Sequence, residues 1–202
     1  MNIKKLKIIM LIVTFFLAFP FHFVYDKLPN FIFSIFFPVN ESIWEHMKLL
    51  YTTIIFSGII EYIIIKRKHI EVNNFLLSIF ISALLSIPIY LLMFLPIYYR
   101  IGENFIVAIT IMFITIAISE IISYYILKTD NIRYSNIISL LFIIFSYIIF
   151  GYLTYNPIEI PLFFDPMEEK YGINHFILLM QKHLLHFYLK FDVLHKSFLV
   201  YL

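Results

Sequence analysis

Five apolar runs, near residues 8–25, 49–65, 75–97, 105–127 and 134–155, dominate this chain, with short polar breaks between them. Each approaches the roughly 20 residues that a helix needs to cross about 30 Å of hydrocarbon. In lipid such runs must be helical, because an unpaired backbone amide there costs several kcal/mol. The first two are a little short and lean on flanking residues to reach both interfaces. The pattern predicts an all-α fold: a polytopic integral membrane bundle of five transmembrane helices, formed by residues 1–172. After a Pro-broken loop at 154–172, apolar residues return at three-and-four spacing, as at Phe176, Met180, Leu184 and Phe187, with Lys182, His186 and Lys190 on another face. Residues 173–202 therefore read as an amphipathic C-terminal helix lying at the interface, or as a tail ordered by a partner.

Composition strengthens the membrane reading. Hydrophobic residues make up 62% of the 202 and charged ones 14%, more apolar surface than a soluble interior of this size can hide. The net charge of +2 and the lack of a basic stripe argue against nucleic acid. With no cysteine, disulfides, thiolate nucleophiles and Cys-ligated metals are excluded. Lys4, Lys5 and Lys7 precede an apolar run that outlasts a signal peptide, and no small-x-small site follows Ala18, so the run reads as a retained signal anchor. Abundant Ile, Phe, Tyr, Lys and Asn suggest an AT-rich bacterial genome and hence the cell (cytoplasmic) membrane.

Threading follows from the cations. Lys4, Lys5, Lys7, Lys66, Arg67, Lys68, Lys128 and Arg133 fall on one side of alternating spans, against Lys27, Lys48, Arg100 and Lys170 on the other. The positive-inside rule places the N-terminus in the cytoplasm, where the Lys66–Lys68 cluster would meet the bilayer's anionic lipid headgroups. Trp44, Tyr98, Tyr99 and Tyr155 then lie at the outer boundary. Ser78, Ser82 and Ser86, and likewise Thr115, Ser119 and Ser123, mark seams where helices approach closely. Pro20 and Pro88 are expected to bend their helices.

The densest polar chemistry lies at residues 38–48, Pro-Val-Asn-Glu-Ser-Ile-Trp-Glu-His-Met-Lys, which this threading brings close to His22 on the outer face. Two readings compete there. In the functional one, His22 and His46 with Glu41 or Glu45 hold a zinc- or iron-like metal. Alternatively, a histidine acts as base, Glu45 as acid/base and Asn40 as polarising amide. On a helix Glu41, Glu45 and Lys48 share one side and Ser42 and His46 another, so Glu45 and His46 aim at one point only if it lies between the faces. In the structural reading Ser42-x-x-Glu45 is a capping box, Trp44 an interfacial anchor and Glu45–Lys48 an i,i+3 ion pair. No signature names a cofactor.

Glu61 and Glu120 are the carboxylates well inside predicted spans, a placement that often marks an ion or proton path. They support an alternative function, small-solute or proton-coupled transport, if they face each other. Glu61 is also placed to pair with Lys66. A third alternative is a membrane scaffold or partner subunit with no site. His175, His183 and His186 in the tail read as an interfacial face rather than as metal ligands.

His22 and Tyr25, the 38–49 segment, and the closing Asn156-Pro157, Asp165-Pro166 and Tyr171-Gly172 resemble an uncharacterised family of small polytopic bacterial membrane proteins, a domain of unknown function. The resemblance spans about residues 8–172, with Asn-Glu-Ser-x-Trp-Glu-His as its most specific part. It implies a membrane protein and makes a site at that motif more credible. It implies no activity, cofactor or protein partner.

Overall fold

The structure is a computed structural model that describes residues 1–102 and 104–173. Glu103 and the tail from Asn174 onward, expected to form an amphipathic helix and holding His175, His183 and His186, lie outside the described residues. The fold is all-α, and five of its helical stretches are long and apolar enough to cross a membrane.

The long helices are α1 (Ile3–His22), α4 (Ile43–Lys68), α5 (Phe75–Ile101), α6 (Phe105–Leu127) and α7 (Ser135–Tyr155). Between the first two come the short α2 (Val24–Lys27) and α3 (Phe31–Phe36). A 3₁₀ turn at Pro161–Phe163 leads into a small antiparallel hairpin, β1 (Phe164–Asp165) with β2 (Lys170–Tyr171).

Local chemistry explains where the helices start and stop. The second long helix starts at Ile43, six residues before its apolar run, because the Ser42 hydroxyl accepts the Glu45 amide at 3.3 Å. Its polar first turns then find partners inside the protein. It ends where His69 turns left-handed at φ 49° and donates its amide back to Ile65. At the start of α1 the Asn2 side chain accepts the Lys5 amide at 2.8 Å. Two residues after Pro20 that helix stops, and a separate turn resumes at Val24. By contrast α5 continues through both Pro88 and Pro96. The short aromatic segment at residues 28–37 contains α3, which packs on α7. The Ser34 hydroxyl lies 2.8 Å from the Tyr155 hydroxyl.

Most of the core forms around α4. Met47, Leu50, Tyr51 and Ile54 pack with Ala83, Tyr90 and Phe94 of α5, Ile111 and Ile116 of α6, and Phe150 of α7. Gly58 lets α4 approach α5, since a Cβ there would lie 3.0 Å from Ile79. The small-residue stripes of α5 and α6 are both buried, as seams between close helices should be. Leu140, Leu141, Phe145 and Ile148 of α7 point outward instead, a surface compatible with lipid contact. At the end where α1 begins, Asn74 ties two loops together. Its amide donates to the Thr129 hydroxyl and the Asp130 carbonyl and accepts from the Ile132 amide and the Ser135 hydroxyl.

Candidate functional site

At the far end of the bundle the chain from residue 38 to 42 is irregular, and long-range contacts hold it in place. Asn40 donates through Nδ2 to the Gly172 carbonyl at 3.1 Å and accepts the Ser42 amide at Oδ1, 3.0 Å. Both ends of its side chain thus help hold the segment in place. The Glu41 amide donates to Asp165 Oδ2 at 3.3 Å, while Asp165 Oδ1 accepts the Met167 and Glu168 amides. The hairpin therefore acts as a brace for the motif. Trp44 stacks on Phe163 with ring centroids 4.7 Å apart and meets Phe150 edge-on, so it also clamps the 3₁₀ turn.

Glu41 precedes the helix cap and so escapes the helical register that binds Glu45. It turns to the two histidines. Its Oε2 lies 3.6 Å from His22 Nε2 and 3.5 Å from His46 Nε2, and the two nitrogens are 3.4 Å apart. His46 Nδ1 lies 3.0 Å from the Ser42 carbonyl. A carbonyl only accepts, so Nδ1 carries the proton and Nε2 of the neutral ring keeps its lone pair toward the cluster. The adjacent His22 imidazole is the largest influence on the Glu41 carboxyl. Together with the positive charge that His46 and His22 carry when protonated, it holds that carboxyl below its ordinary range against the opposing effect of burial.

Glu45 is elsewhere. Of the two sets that the sequence allows, His22 and His46 with Glu41 or with Glu45, the structure brings together the one with Glu41. One helical step, about 100°, separates Glu45 from His46, and Glu45 points into the bundle. Lys48 lies 2.5 Å from its Oε2, while the Thr154 hydroxyl donates to Oε1 at 3.2 Å. Lys48 also donates to the Ser34 carbonyl and to Thr154, and both side chains of the pair are fully enclosed. The capping box is half-formed: Ser42 caps, but the Glu45 carboxylate accepts the Val39 amide at 3.1 Å instead of the Ser42 amide. The i,i+3 ion pair is present, buried rather than at a surface.

A second polar cluster lies at the opposite end. Glu61 and Glu120 do not simply face each other, and Glu61 does not pair with Lys66, whose ammonium sits over the Tyr62 ring. Both carboxylates converge on Lys7. Its Nζ is 2.7 Å from Glu61 Oε1, 3.1 Å from Glu120 Oε2 and 2.6 Å from the Ser123 hydroxyl, and Lys7 is only 5% exposed. By its place before the first apolar run Lys7 looks like an orientation charge, as Lys4 and Lys5 do. One signal separates it from them: it shares three-and-four spacing with Met10, Thr14 and Ala18, the buried face of α1.

These features define a helical bundle with five candidate membrane spans, an imidazole–carboxylate cluster at one end and a buried ion triad toward the other. The chain belongs to a family described as a family of unknown function (DUF6512), whose model matches residues 1–173. No curated protein and no solved structure matches it.

Proposed function

We propose that His22, Glu41 and His46 form a divalent-metal site, of the open kind that activates water, on the outer rim of a multi-pass protein of the bacterial cell membrane. The spacing of the three donor atoms carries this reading. At 3.4–3.6 Å their contacts are longer than the about 2.7–3.2 Å of good hydrogen bonds. Zinc holds such donors about 2.0–2.1 Å away, which sets neighbouring donors about 3.3–3.4 Å apart in a tetrahedron. The Ser42 carbonyl orients His46 as outer-shell partners orient metal-bound imidazoles. Three protein ligands leave a fourth position for water, whose pKa on such a metal falls to about 7. The reaction class is hydrolysis. The water oxygen bonds to an acyl or phosphoryl centre, the bond to the leaving group breaks, and the proton released by the water ends on that group. A void of about 30 Å³ beside Glu41 and His46 has room for a water.

The orientation belongs to the same proposal: the N-terminus and the Lys66–Lys68 cluster cytoplasmic, among anionic headgroups, and the His22 end outside. Zinc content of the purified, metal-stripped and reloaded protein tests the site. One equivalent is expected for the wild type and for Glu45→Gln, and less than a fifth of that for Glu41→Gln or His46→Ala. A wild type that retains no zinc at micromolar concentration, or ligand variants that retain it equally, would overturn the assignment.

Transport through Glu61 and Glu120 is a second reading, favoured by one observation: a single ammonium serves two buried carboxylates. The cluster can therefore accommodate one further proton or cation. Its test is pH-dependent flux in proteoliposomes, lost in Glu120→Gln.

A further inference from the structure

The three donor groups sit at one edge of a cavity of about 460 Å³ with otherwise largely apolar walls. That volume lies within the about 300–1,000 Å³ typical of ligand clefts. Phe19 of α1 and Phe23 just after it form one side, Phe105 and Ile109 of α6 the other. The rim between these helices is open, with Phe23 54% and Phe105 74% exposed. Both lie near the ends of candidate membrane spans, so in a bilayer the opening would meet lipid from the side.

The space exists because Ala18 and Ala108 contribute almost no side-chain volume to the facing walls. Along α6 the lining extends from Phe105 to Met112, about 10 Å of helix at about 1.5 Å per residue. The polar corner lies at the helix ends, since His22 closes α1 and Glu41 precedes α4. Polar groups at headgroup depth above an apolar slot match the anatomy of a lipid. Water has too few polar partners to fill such a slot, whereas acyl chains surround it.

We propose that this cavity takes one acyl chain of a membrane phospholipid, admitted between α1 and α6, so that the ester nearest the headgroup rests at the His22, Glu41 and His46 corner. This names an acyl lipid as the substrate class of the metal-site reading, and it rests on that reading for the chemistry but not for the binding.

The test uses the full chain reconstituted in phosphatidylcholine vesicles containing a small fraction of the same lipid with a photoreactive diazirine on its acyl chain. After irradiation, labelled positions are mapped by mass spectrometry. Label should concentrate on residues 18–23 and 105–112 and fall at least fivefold in Ala108→Trp, or in Ala18→Phe, which plugs the slot from the opposite wall. Zinc stoichiometry should stay unchanged in both variants, and Glu41→Gln should keep the label. Label no denser on the cavity residues than on Leu140 and Leu141 of α7 would mean surface lipid only and overturns the proposal, whatever the variants do. Undiminished label in folded plugged variants overturns it too. Zinc lost with cavity label intact refutes the metal reading alone, and the reverse refutes the lipid inference alone.

Discussion

Replacing Lys7 by Met removes a charge while keeping most of the side chain's length, so it isolates the electrostatics of the triad. In the structure one ammonium lies 2.7 Å from Glu61 and 3.1 Å from Glu120, with all three groups buried. Deleting one partner of a buried ion pair costs about 3–5 kcal/mol, and here two carboxylates lose the same partner. Protonation limits the loss. Holding a carboxyl neutral at pH 7, about 2.7 pH units above an ordinary pKa of about 4.3, costs about 3.7 kcal/mol. Two such groups set a ceiling of about 7 kcal/mol. At about 2–4 °C per kcal/mol for a chain of this size, the melting temperature should fall by at least about 6 °C. Thermal unfolding in detergent at pH 7, followed by size-exclusion chromatography, reads this directly. Lys4→Met, on an exposed neighbour, should change stability by no more than about 0.5 kcal/mol. The combination Lys7→Met, Glu61→Gln and Glu120→Gln should recover most of the loss, because no unpaired charge remains buried. A shift below about 2 °C for Lys7→Met, or a triple variant as unstable as the single one, would refute the reasoning.

Two further predictions concern the opposite end. Gly172 has φ +64°, and a Cβ there would meet Pro157 at 2.9 Å and the Thr154 carbonyl at 3.0 Å. Gly172→Ala should therefore displace the carbonyl that Asn40 holds and weaken zinc binding by roughly tenfold, the low end for loss of an outer-shell support; isothermal titration giving unchanged affinity would count against the brace. For Glu41, a carboxyl held below its unfolded value adds stability above that value, and the contribution disappears as pH falls through the folded value. The stability gap between wild type and Glu41→Gln in metal-free protein should thus narrow as pH drops from 7 to below about 4. A gap constant over that range would show that the carboxylate's charge contributes nothing.

Much of this architecture follows from local pattern. Runs of lipid-crossing length declare the five long helices, because an apolar stretch of that size has few other ways to satisfy its backbone. Periodicity marks the buried faces at Ser78, Ser82 and Ser86, and spacing alone pairs Glu45 with Lys48. Alternate threading of successive spans brings His22 toward the 40–46 segment. All of these depend on neighbours a few residues apart or on a simple up-and-down count.

The polar clusters, by contrast, join groups distant in the chain. Glu41 rather than Glu45 joins the histidines because it lies one residue before the cap, where no helical period sets its direction. Its position depends on Asp165 and Gly172, more than a hundred residues away. Lys7 becomes the centre of a triad rather than a surface charge because α4 and α6 each bring a carboxylate to the same depth of α1. Local pattern was enough to set the helices and their polar ends. Which ionisable groups share a point in space depended on the lateral packing of helices, and the pattern along one helix does not say which neighbour its buried face will meet.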